Sequence, residues 1–227
     1  MISKMFKILG TGSGGNCFLF GDLMIDVGLP YSKIRDDVKK HVLLTHIHGD
    51  HFNKSTIRKL AVAHDVIFYA HADLCTVLES IGITSYVCVE AGKAYSIGDY
   101  KISPVLAYHD VTNIGYRILI NGHKHFHITD TATLEGITAK DYDSGSIECN
   151  HCEIAAAKII EESQENGEFT HLIGAMNSHL SVQQTIDFVK ANNIKKLYPI
   201  HVGASTINQV RSLLDEQITN DRLVRFF

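Results

Sequence analysis

Apolar side chains in this chain follow two kinds of pattern. Short apolar runs, some alternating with polar positions, end at glycines or polar turns and predict β-strands. Longer stretches with an apolar residue every three or four positions predict helices. The predicted strands are Lys4–Leu9, Cys17–Phe20, Leu23–Asp26, His41–Leu44, Val66–Tyr69, Ser85–Val89, Lys101–Val105, Gly115–Ile120 and His125–Thr129. The predicted helices are Tyr31–Lys40, Asn53–Ala63, Ala72–Ile81, Glu153–Glu165, Ser181–Ala191 and Ser205–Gln217.

The order of these elements predicts the architecture. The first half is mostly hairpins and the second half mostly helices around short strands, with no linker rich in Pro, Gly or Ser. Such elements pack as two sheets with helices outside, which predicts a four-layer α/β (α+β) sandwich. The chain has 227 residues, of which 45% are apolar. That is enough to bury one core, so we expect a single domain over residues 1–227.

The segment after the apolar run Val42–Leu44 carries the strongest candidate chemistry. Residues 45–51 read THIHGDH and place four metal-ligating side chains, His46, His48, Asp50 and His51, within six consecutive positions. Imidazole nitrogens and carboxylate oxygens suit zinc and, with less preference, manganese or iron. Four such groups on one turn can serve two ions.

Three further candidate ligands each follow a strand-like run: His109, Asp130 and His201. Strand-end loops on a rigid sheet are a usual place for metal ligands. With the four ligands of segment 45–51 they make seven, enough for two divalent ions if one carboxylate bridges. We expect Zn²⁺, with Mn²⁺ as the alternative. Two ions about 3.5–4 Å apart can share a hydroxide nucleophile and clamp the oxygens of a phosphodiester.

The ordered ligand set resembles that of the metallo-β-lactamase superfamily over most of the chain. The residues that carry the resemblance are Asp26, His46, His48, Asp50, His51, His109, Asp130 and His201. The resemblance implies an αββα metallo-β-lactamase sandwich with two metal ions. It assigns His46, His48 and His109 to the first ion, Asp50, His51 and His201 to the second, and Asp130 to both. Asp26 would then buttress the ligand loop from outside, although an Asp in a turn before Gly28 explains it nearly as well.

Further motifs resemble the YycJ-like branch of that superfamily and its phage relatives, a branch that acts on nucleic acid. They are the glycine-rich segment 9–17, Ile25-Asp26-Val27-Gly28, His109-Asp110-x-x-Asn113-x-Gly115-Tyr116, Ile128-Thr129-Asp130-Thr131, Glu148-Cys149-Asn150-His151 and Ser178-His179-Leu180-Ser181. Two departures concern the substrate more than the metals. The branch continues Asn-His-Asp where this chain has Asn150-His151-Cys152, and its His-Leu-Ser reads His201-Val202-Gly203 here.

The resemblance also indicates His179 as a catalytic residue, in addition to Asp50. His179 precedes the helix cap Ser181 and matches a family position that contacts the scissile phosphate. It could protonate the leaving alkoxide, but a polar residue near a helix cap is the alternative explanation. The segment Gly10–Gly15 is followed by another strand-like run, not a helix, so it predicts a tight turn near the substrate and not a dinucleotide site.

Other histidines and the cysteines receive weaker interpretations. Cys149 and Cys152 lack a second pair for a zinc ribbon. His123, His125 and His127 alternate, so they share one face of a strand. We expect that face to look outward as polar decoration or adventitious metal binders. His71 and His171 have no partner pattern and receive no role. The odd set of five cysteines favours reduced thiols.

Charge and hydropathy limit the partners. The formal charge is −4, with no block of Lys or Arg, which argues against indiscriminate binding to duplex nucleic acid. The sequence runs from Met1 into an apolar strand without a long hydrophobic stretch, so we expect neither a signal peptide nor a membrane span, and a cytoplasmic location.

These observations predict a dinuclear metal-dependent phosphodiesterase, a nuclease acting on DNA or RNA ends. A cyclic-nucleotide phosphodiesterase of phage type is an alternative, and it would predict a closed pocket, which a second subunit of a homodimer could complete. A carbonyl hydrolase acting on a lactam, thioester or lactone could use the same ions. A catalytically silent metal-binding module is the last alternative, although degenerate members would be expected to lose ligands.

Overall fold

The computed structural model describes residues 5–224, and two six-stranded sheets lie at its centre. Helices cover the outer face of each sheet, so the predicted four-layer sandwich is confirmed. The first sheet contains, in spatial order, β1 Phe6–Gly10, β2 Cys17–Phe20, β3 Leu23–Ile25, β4 His41–Leu43, β5 Ile67–Ala70 and β6 Tyr86–Cys88. The helices packed on it are α1 Tyr31–Ile34, α2 Lys54–Ala63 and α3 Ala72–Ser80.

The second sheet contains the remaining six strands, and strands that are consecutive in the chain are also neighbours in the sheet. Its strands are β7 Tyr95–Ile97, β8 Tyr100–Ala107, β9 Asn113–Ile120, β10 His123–Ile128, β11 Ser144–Glu148 and β12 Leu197–Ile200. Its helices are α4 Glu153–Glu165, α5 Leu172–Ser178, α6 Val182–Ala191 and α7 Ile207–Gln217, with a 3₁₀ turn at Ala204–Thr206. The neighbours β3 to β6 are parallel in the first sheet, as are β10 to β12 in the second. Parallel neighbours bring their carboxyl ends to one edge of a sheet.

The facing sides of the two sheets enclose an apolar layer. Phe18, Phe20 and Ile25 from the first sheet meet Ile114 and Tyr116 from the second. The Tyr116 hydroxyl makes a polar link across this layer, because it donates to the carbonyl of Leu44, 2.6 Å away, just after β4. This bond ties β9 to the strand that leads into the ligand segment 45–51.

Several elements differ from the pattern-based prediction. Helix α1 ends at Ile34 instead of Lys40, and residues 35–40 continue as turns in which Asp37 pairs with Lys7 at 2.7 Å and Val38 packs against the core. Strands β7 and β11 and helix α5 were not predicted. Strand β11 was not predicted because Ser144 and other small or polar residues stand where an apolar run would be expected. The strand predicted from Lys4 corresponds to β1, with Lys4 itself outside the described residues.

The expectation that the alternating histidines face outward is wrong. His125 and His127 are fully buried between the sheets. Ser144 and Ser146 on β11 make this burial tolerable, because Ser144 Oγ lies 2.8 Å from Nδ1 of His125 and Ser146 Oγ lies 2.7 Å from Nδ1 of His127. The His125 ring also stacks on Phe20 of the first sheet, with centroids 4.3 Å apart. Buried polar groups with partners of this kind help to set strand register.

The expectation of five reduced thiols is also wrong for one pair. Cys75 of α3 and Cys88 of β6 form a disulfide, with Cα atoms 6.1 Å apart. Cys17, Cys149 and Cys152 are free and buried. Within residues 5–224, no helix combines the length and the apolar character needed to cross a bilayer.

Replacing Tyr116 by Phe should destabilise the protein. The substitution keeps the ring but leaves the buried Leu44 carbonyl without this donor, so we expect the free energy of unfolding to fall by about 1–2 kcal/mol. Urea denaturation followed by circular dichroism measures the change. Tyr108→Phe, at a half-exposed tyrosine, is the control. Equal stability of the Tyr116→Phe variant and the wild type would contradict a role for this bond.

Candidate metal centre

The predicted ligands converge where strands of both sheets end. His46 follows β4 in the first sheet, whereas His109, Asp130 and His201 follow β8, β10 and β12 in the second. Two groups of these side chains each bring one ligand atom per residue within 4.8 Å of every other. The groups are His46, His48, His109 and Asp130, and Asp50, His51, Asp130 and His201. All seven predicted ligands therefore lie together, divided as the resemblance implies, and their role as ligands remains a prediction.

The Asp130 carboxylate lies between the two groups. Its Oδ2 is 2.9 Å from Nε2 of His51 and 3.1 Å from Nε2 of His46. Its Oδ1 is 3.1 Å from Nδ1 of His201. The buried Asn113 carboxamide holds the backbone in place by donating to the carbonyls of Thr129 and Asp130, at 2.9 and 2.7 Å. One carboxylate can thus reach both groups from a rigid position.

Asp26 supports the ligand segment from beneath, as the resemblance implies. It is fully buried, and its Oδ1 accepts the backbone N–H of Thr45 at 2.8 Å. Its Oδ2 lies 2.7 Å from Nδ1 of His51 and accepts the Thr45 hydroxyl at 2.8 Å. A carboxylate on one ring nitrogen orients the ring and leaves the other nitrogen, Nε2, for a metal.

Glu148 is a further site residue, and the sequence indicated it only as part of a motif. It is fully buried at the end of β11. Its Oε1 lies 2.6 Å from Nδ1 of His179 and 2.9 Å from Nδ1 of His201. Its Oε2 accepts the backbone N–H groups of Thr131 and Leu180, at 3.1 and 3.2 Å. Glu148 therefore positions a candidate ligand and the candidate catalytic histidine together.

The glycine-rich turn lies against the ligands, and Asn16 within it was not singled out from the sequence. The buried Asn16 carboxamide donates to Asp50 Oδ2 at 3.1 Å, and its nitrogen lies 2.8 Å from Nε2 of His51. Thr11 Oγ1 accepts the backbone N–H of His201 at 2.7 Å. Gly28 is required beneath the turn, since a Cβ there would lie 1.7 Å from the Asp50 carbonyl oxygen.

Three site residues have a left-handed backbone. Asp26, Asp130 and His201 have φ angles of 58°, 51° and 52°, a region that costs energy for residues other than glycine. Surrounding contacts hold this geometry; for example, the Asp26 N–H donates to the Leu43 carbonyl at 2.9 Å. Such backbone strain is commonly found at functional sites.

The mixture of buried acids and histidines shifts their pKa values. Burial opposes ionisation of Asp130, but His201 and His51 outweigh it and hold the pKa of Asp130 well below its usual value. Burial would lower the pKa of His201, yet Asp130 and Asp50 raise it to about 9. The pKa of His179 is raised in the same way, because Asp130 and Glu148 bring it to about 10 against the effect of burial. The protein without metal therefore holds protons on His201 and His179 at neutral pH.

The residues present fit divalent metal ions. The Nε2 atoms of His46 and His201 are buried, and each lies within 3.5 Å of a carboxylate oxygen without forming a well-aligned hydrogen bond. Such atoms are costly unless something binds them. Imidazole and carboxylate donors suit zinc or manganese.

Comparisons with known proteins identify the superfamily of this chain. The sequence model of the beta-lactamase superfamily domain matches residues 26–202. The chain belongs to this superfamily and has the metallo-β-lactamase fold. Searching curated protein sequences gave no match.

Solved structures with the same fold are similar in shape but distant in sequence. The metallo-β-lactamase fold protein YhfI from Bacillus subtilis has a TM-score of 0.76 at 16% identity, over 96% of this chain and 94% of that chain. The short form of human tRNase Z has a TM-score of 0.64 at 15% identity, over 87% and 92%. A diphosphatase from the PhnP family has a TM-score of 0.68 at 15% identity, over 97% and 94%. At such identities the likeness shows the fold alone.

Replacing Asp26 by Asn should weaken metal binding. The amide can still accept the Thr45 N–H, but it replaces the carboxylate that orients His51. We expect metal affinity to fall about tenfold or more, measured by competition with a chromogenic chelator. Asp36→Asn, at an exposed side chain, is the control. Unchanged affinity in a folded Asp26→Asn variant would contradict the orienting role.

Proposed function

We propose that the protein is a dinuclear metal-dependent phosphodiesterase that acts on DNA or RNA ends. The observation that carries the proposal is the pair of ligand groups joined at Asp130. The superfamily and this pair together support a metal-dependent hydrolase. The phosphodiester specificity rests on the YycJ-like motifs, and it is compatible with neighbours that include a tRNase and a diphosphatase.

The proposed ligands are His46, His48 and His109 for one ion and Asp50, His51 and His201 for the other, with Asp130 shared. Two divalent ions there would lower the pKa of an attacking water and stabilise charge on the phosphoryl oxygens. Asp26, Glu148 and Asn16 orient the ligands through the contacts described above. Zinc is the first choice and manganese the second.

His179 is the proposed proton donor to the leaving oxygen. It lies at the carboxyl end of α5 and its side chain is 19% exposed, so one edge can reach a substrate. Glu148 accepts its Nδ1 proton at 2.6 Å, which leaves Nε2–H free to donate. The Glu148 contact also stabilises the protonated ring that a general acid requires.

A cyclic-nucleotide phosphodiesterase is the second candidate, and one observation favours it. The cavity beside the first ligand group is lined by Asp73 and Asp110 and contains no Lys or Arg, so it does not extend a polyanion-binding groove. A small nucleotide is compatible with that surface and with the charge of −4. The homodimer that would close such a pocket, and the cytoplasmic location, remain predictions.

Removing the carboxylate of Asp130, which both ligand groups share, or that of Asp50, which belongs to one group, should abolish turnover. We expect zinc- or manganese-loaded protein to hydrolyse bis-p-nitrophenyl phosphate, and Asp50→Ala and Asp130→Ala to lose this activity while remaining folded. The reason is that each substitution removes an anionic ligand atom from its group. Release of p-nitrophenolate measures turnover, and Asp36→Ala is the control. Labelled single-stranded DNA, RNA and cyclic nucleotides, tested in parallel, then identify the substrate.

Two outcomes would contradict the assignment. Activity retained in a metal-verified Asp50→Ala, Asp130→Ala double variant would exclude this site. Bound metal without cleavage of any phosphodiester would favour a carbonyl hydrolase, or a silent module if lactams, thioesters and lactones were also untouched.

Replacing His179 by Gln should affect turnover according to the leaving group. An alkoxide needs a proton to leave, whereas p-nitrophenolate does not. We expect cleavage of a dinucleotide to fall about 10²–10⁴-fold and cleavage of bis-p-nitrophenyl phosphate to fall far less. His171→Gln, at the other end of α5, is the matched control. Equal losses for both leaving groups would show that His179 is not the proton donor.

A further inference from the structure

Asp110 lies against the first ligand group, although it is not one of the seven ligands described above. Its Oδ1 is 3.1 Å from Nε2 of His109 and 3.5 Å from Nε2 of His48. Within residues 5–224, the ion-pair partners of Asp110 are these two histidines. Its side chain is 65% exposed. A single carboxylate oxygen therefore meets two of the proposed ligands from the solvent side.

The backbone explains how neighbouring residues reach the same point. In a strand, consecutive side chains point to opposite faces, but β8 has already ended and residues 109–111 form a bend. The backbone N–H of Tyr108 donates to Oγ1 of Thr131 at 2.9 Å, and Thr131 directly follows the shared ligand Asp130. The start of the bend is thus tied to the metal centre, which places Asp110 beside it.

The contact between His109 and Asp110 favours a cation that both side chains bind. A metal-binding imidazole is neutral and carries one ring hydrogen. In His109 that hydrogen belongs on Nδ1, because Nδ1 lies 3.2 Å from the carbonyl oxygen of Ser178, which can only accept. Nε2 then presents a lone pair to a carboxylate oxygen 3.1 Å away. Two such atoms repel each other unless a cation binds both.

The spacing fits two ligands of one ion. Bonds from zinc to imidazole nitrogen or carboxylate oxygen are about 2.0–2.2 Å long, so neighbouring ligand atoms lie about 3–3.5 Å apart. The distances from Asp110 fall in this range. In the second group, Asp50 Oδ2 is 3.5 Å from Nε2 of His51 and 3.5 Å from Nε2 of His201. Asp110 therefore approaches the first group as closely as Asp50 approaches the second.

Charge gives a further reason for a carboxylate at this position. The first group contains one carboxylate, that of Asp130, whereas the second contains Asp50 as well. Two divalent ions held close together repel each other, and each carboxylate ligand offsets part of this repulsion. With Asp110, each group has one carboxylate of its own in addition to the shared one.

We propose that Asp110 is an eighth metal ligand, which binds the first ion together with His48 and His109. The proposal rests on the ligand set of the function proposed above and extends that set. Asp110 is not among the atoms of the first group that lie within 4.8 Å of one another, so it is the outermost ligand. It also lines the cavity beside this group, on the side open to a substrate.

Metal affinity tests this role without relying on turnover. Replacing Asp110 by Asn keeps the shape of the side chain and removes its charge. We expect the affinity for one of the two zinc ions to fall about tenfold or more, measured by competition with a chromogenic chelator. Asp73→Asn is the matched control, because Asp73 lines the same cavity and is also exposed. It should change neither affinity by more than about twofold, since solvent and salt screen such a charge.

Cobalt reports direct coordination by residue 110. Cysteine thiolate is a good ligand for such ions, and its bond to Co²⁺ gives an intense charge-transfer absorption in the near ultraviolet. We expect this absorption in Co²⁺-loaded Asp110→Cys protein and not in the wild type. Thr112→Cys is the control on the same loop, because the Thr112 hydroxyl is directed to Asp73, 2.6 Å away. A residue that only orients His109 would not produce the absorption.

The outcomes separate this proposal from the proposed function. Equal effects of Asp110→Asn and Asp73→Asn, or no thiolate absorption in an Asp110→Cys protein that holds two cobalt ions, would overturn the eighth ligand. Its confirmation without cleavage of any phosphodiester would keep the ligand and overturn the phosphodiesterase. Phosphodiester cleavage with unchanged metal affinities in Asp110→Asn would do the reverse. Wild-type protein that bound no metal would overturn both.

Discussion

The buried carboxylate of Asp130, which lies where strands of both sheets end, is the constraint on which this structure depends. Asp130 is only 2% exposed, and an isolated charge in such a place would cost several kcal/mol. His51, His46 and His201 offset that cost by direct contact at 2.9 to 3.1 Å. The same arrangement is what a pair of divalent cations requires. Asp130 also raises the pKa of His51 and of His201, so metal binding at these two residues would be linked to proton release.

The histidines can do this only because a second set of groups holds them. Asp26 orients His51 and Glu148 orients His201, each through Nδ1. Both acids are fully buried and are themselves fixed by backbone N–H groups, those of Thr45 for Asp26 and of Leu180 for Glu148. Going outward from Asp130, an imidazole is followed by a second carboxylate in both directions: His51 then Asp26, and His201 then Glu148. Rotation of the His51 or His201 ring would remove the imidazole partner of a buried carboxylate, and this cost helps loops with strained backbones to hold a fixed geometry.

Sequence patterns predicted the parts of this site whose signals are local. Segment 45–51 could be identified because its ligands are consecutive, and His201 because it directly follows an apolar strand. Glu148 was harder because β11 carries serines that are buried only through pairing with histidines of β10. The Cys75–Cys88 disulfide likewise depends on α3 lying against β6. These features depend on which elements become neighbours, and periodicity within one segment does not contain that information.

His179 and the cavity beside the first ligand group are positioned by different strand ends. His179 contacts Glu148 from β11, whereas the cavity is built from α3 after β5 and from residues 110–112 after β8. His109 lies between them, since its Nε2 is 3.2 Å from Nδ1 of His48 and its ring centroid is 5.4 Å from that of His179. A substrate that reached both His179 and the cavity would therefore pass close to His109. Side chains on α3 can therefore change the shape and charge of the cavity without moving the histidines or the carboxylate that they surround, which is how one scaffold can serve different substrates.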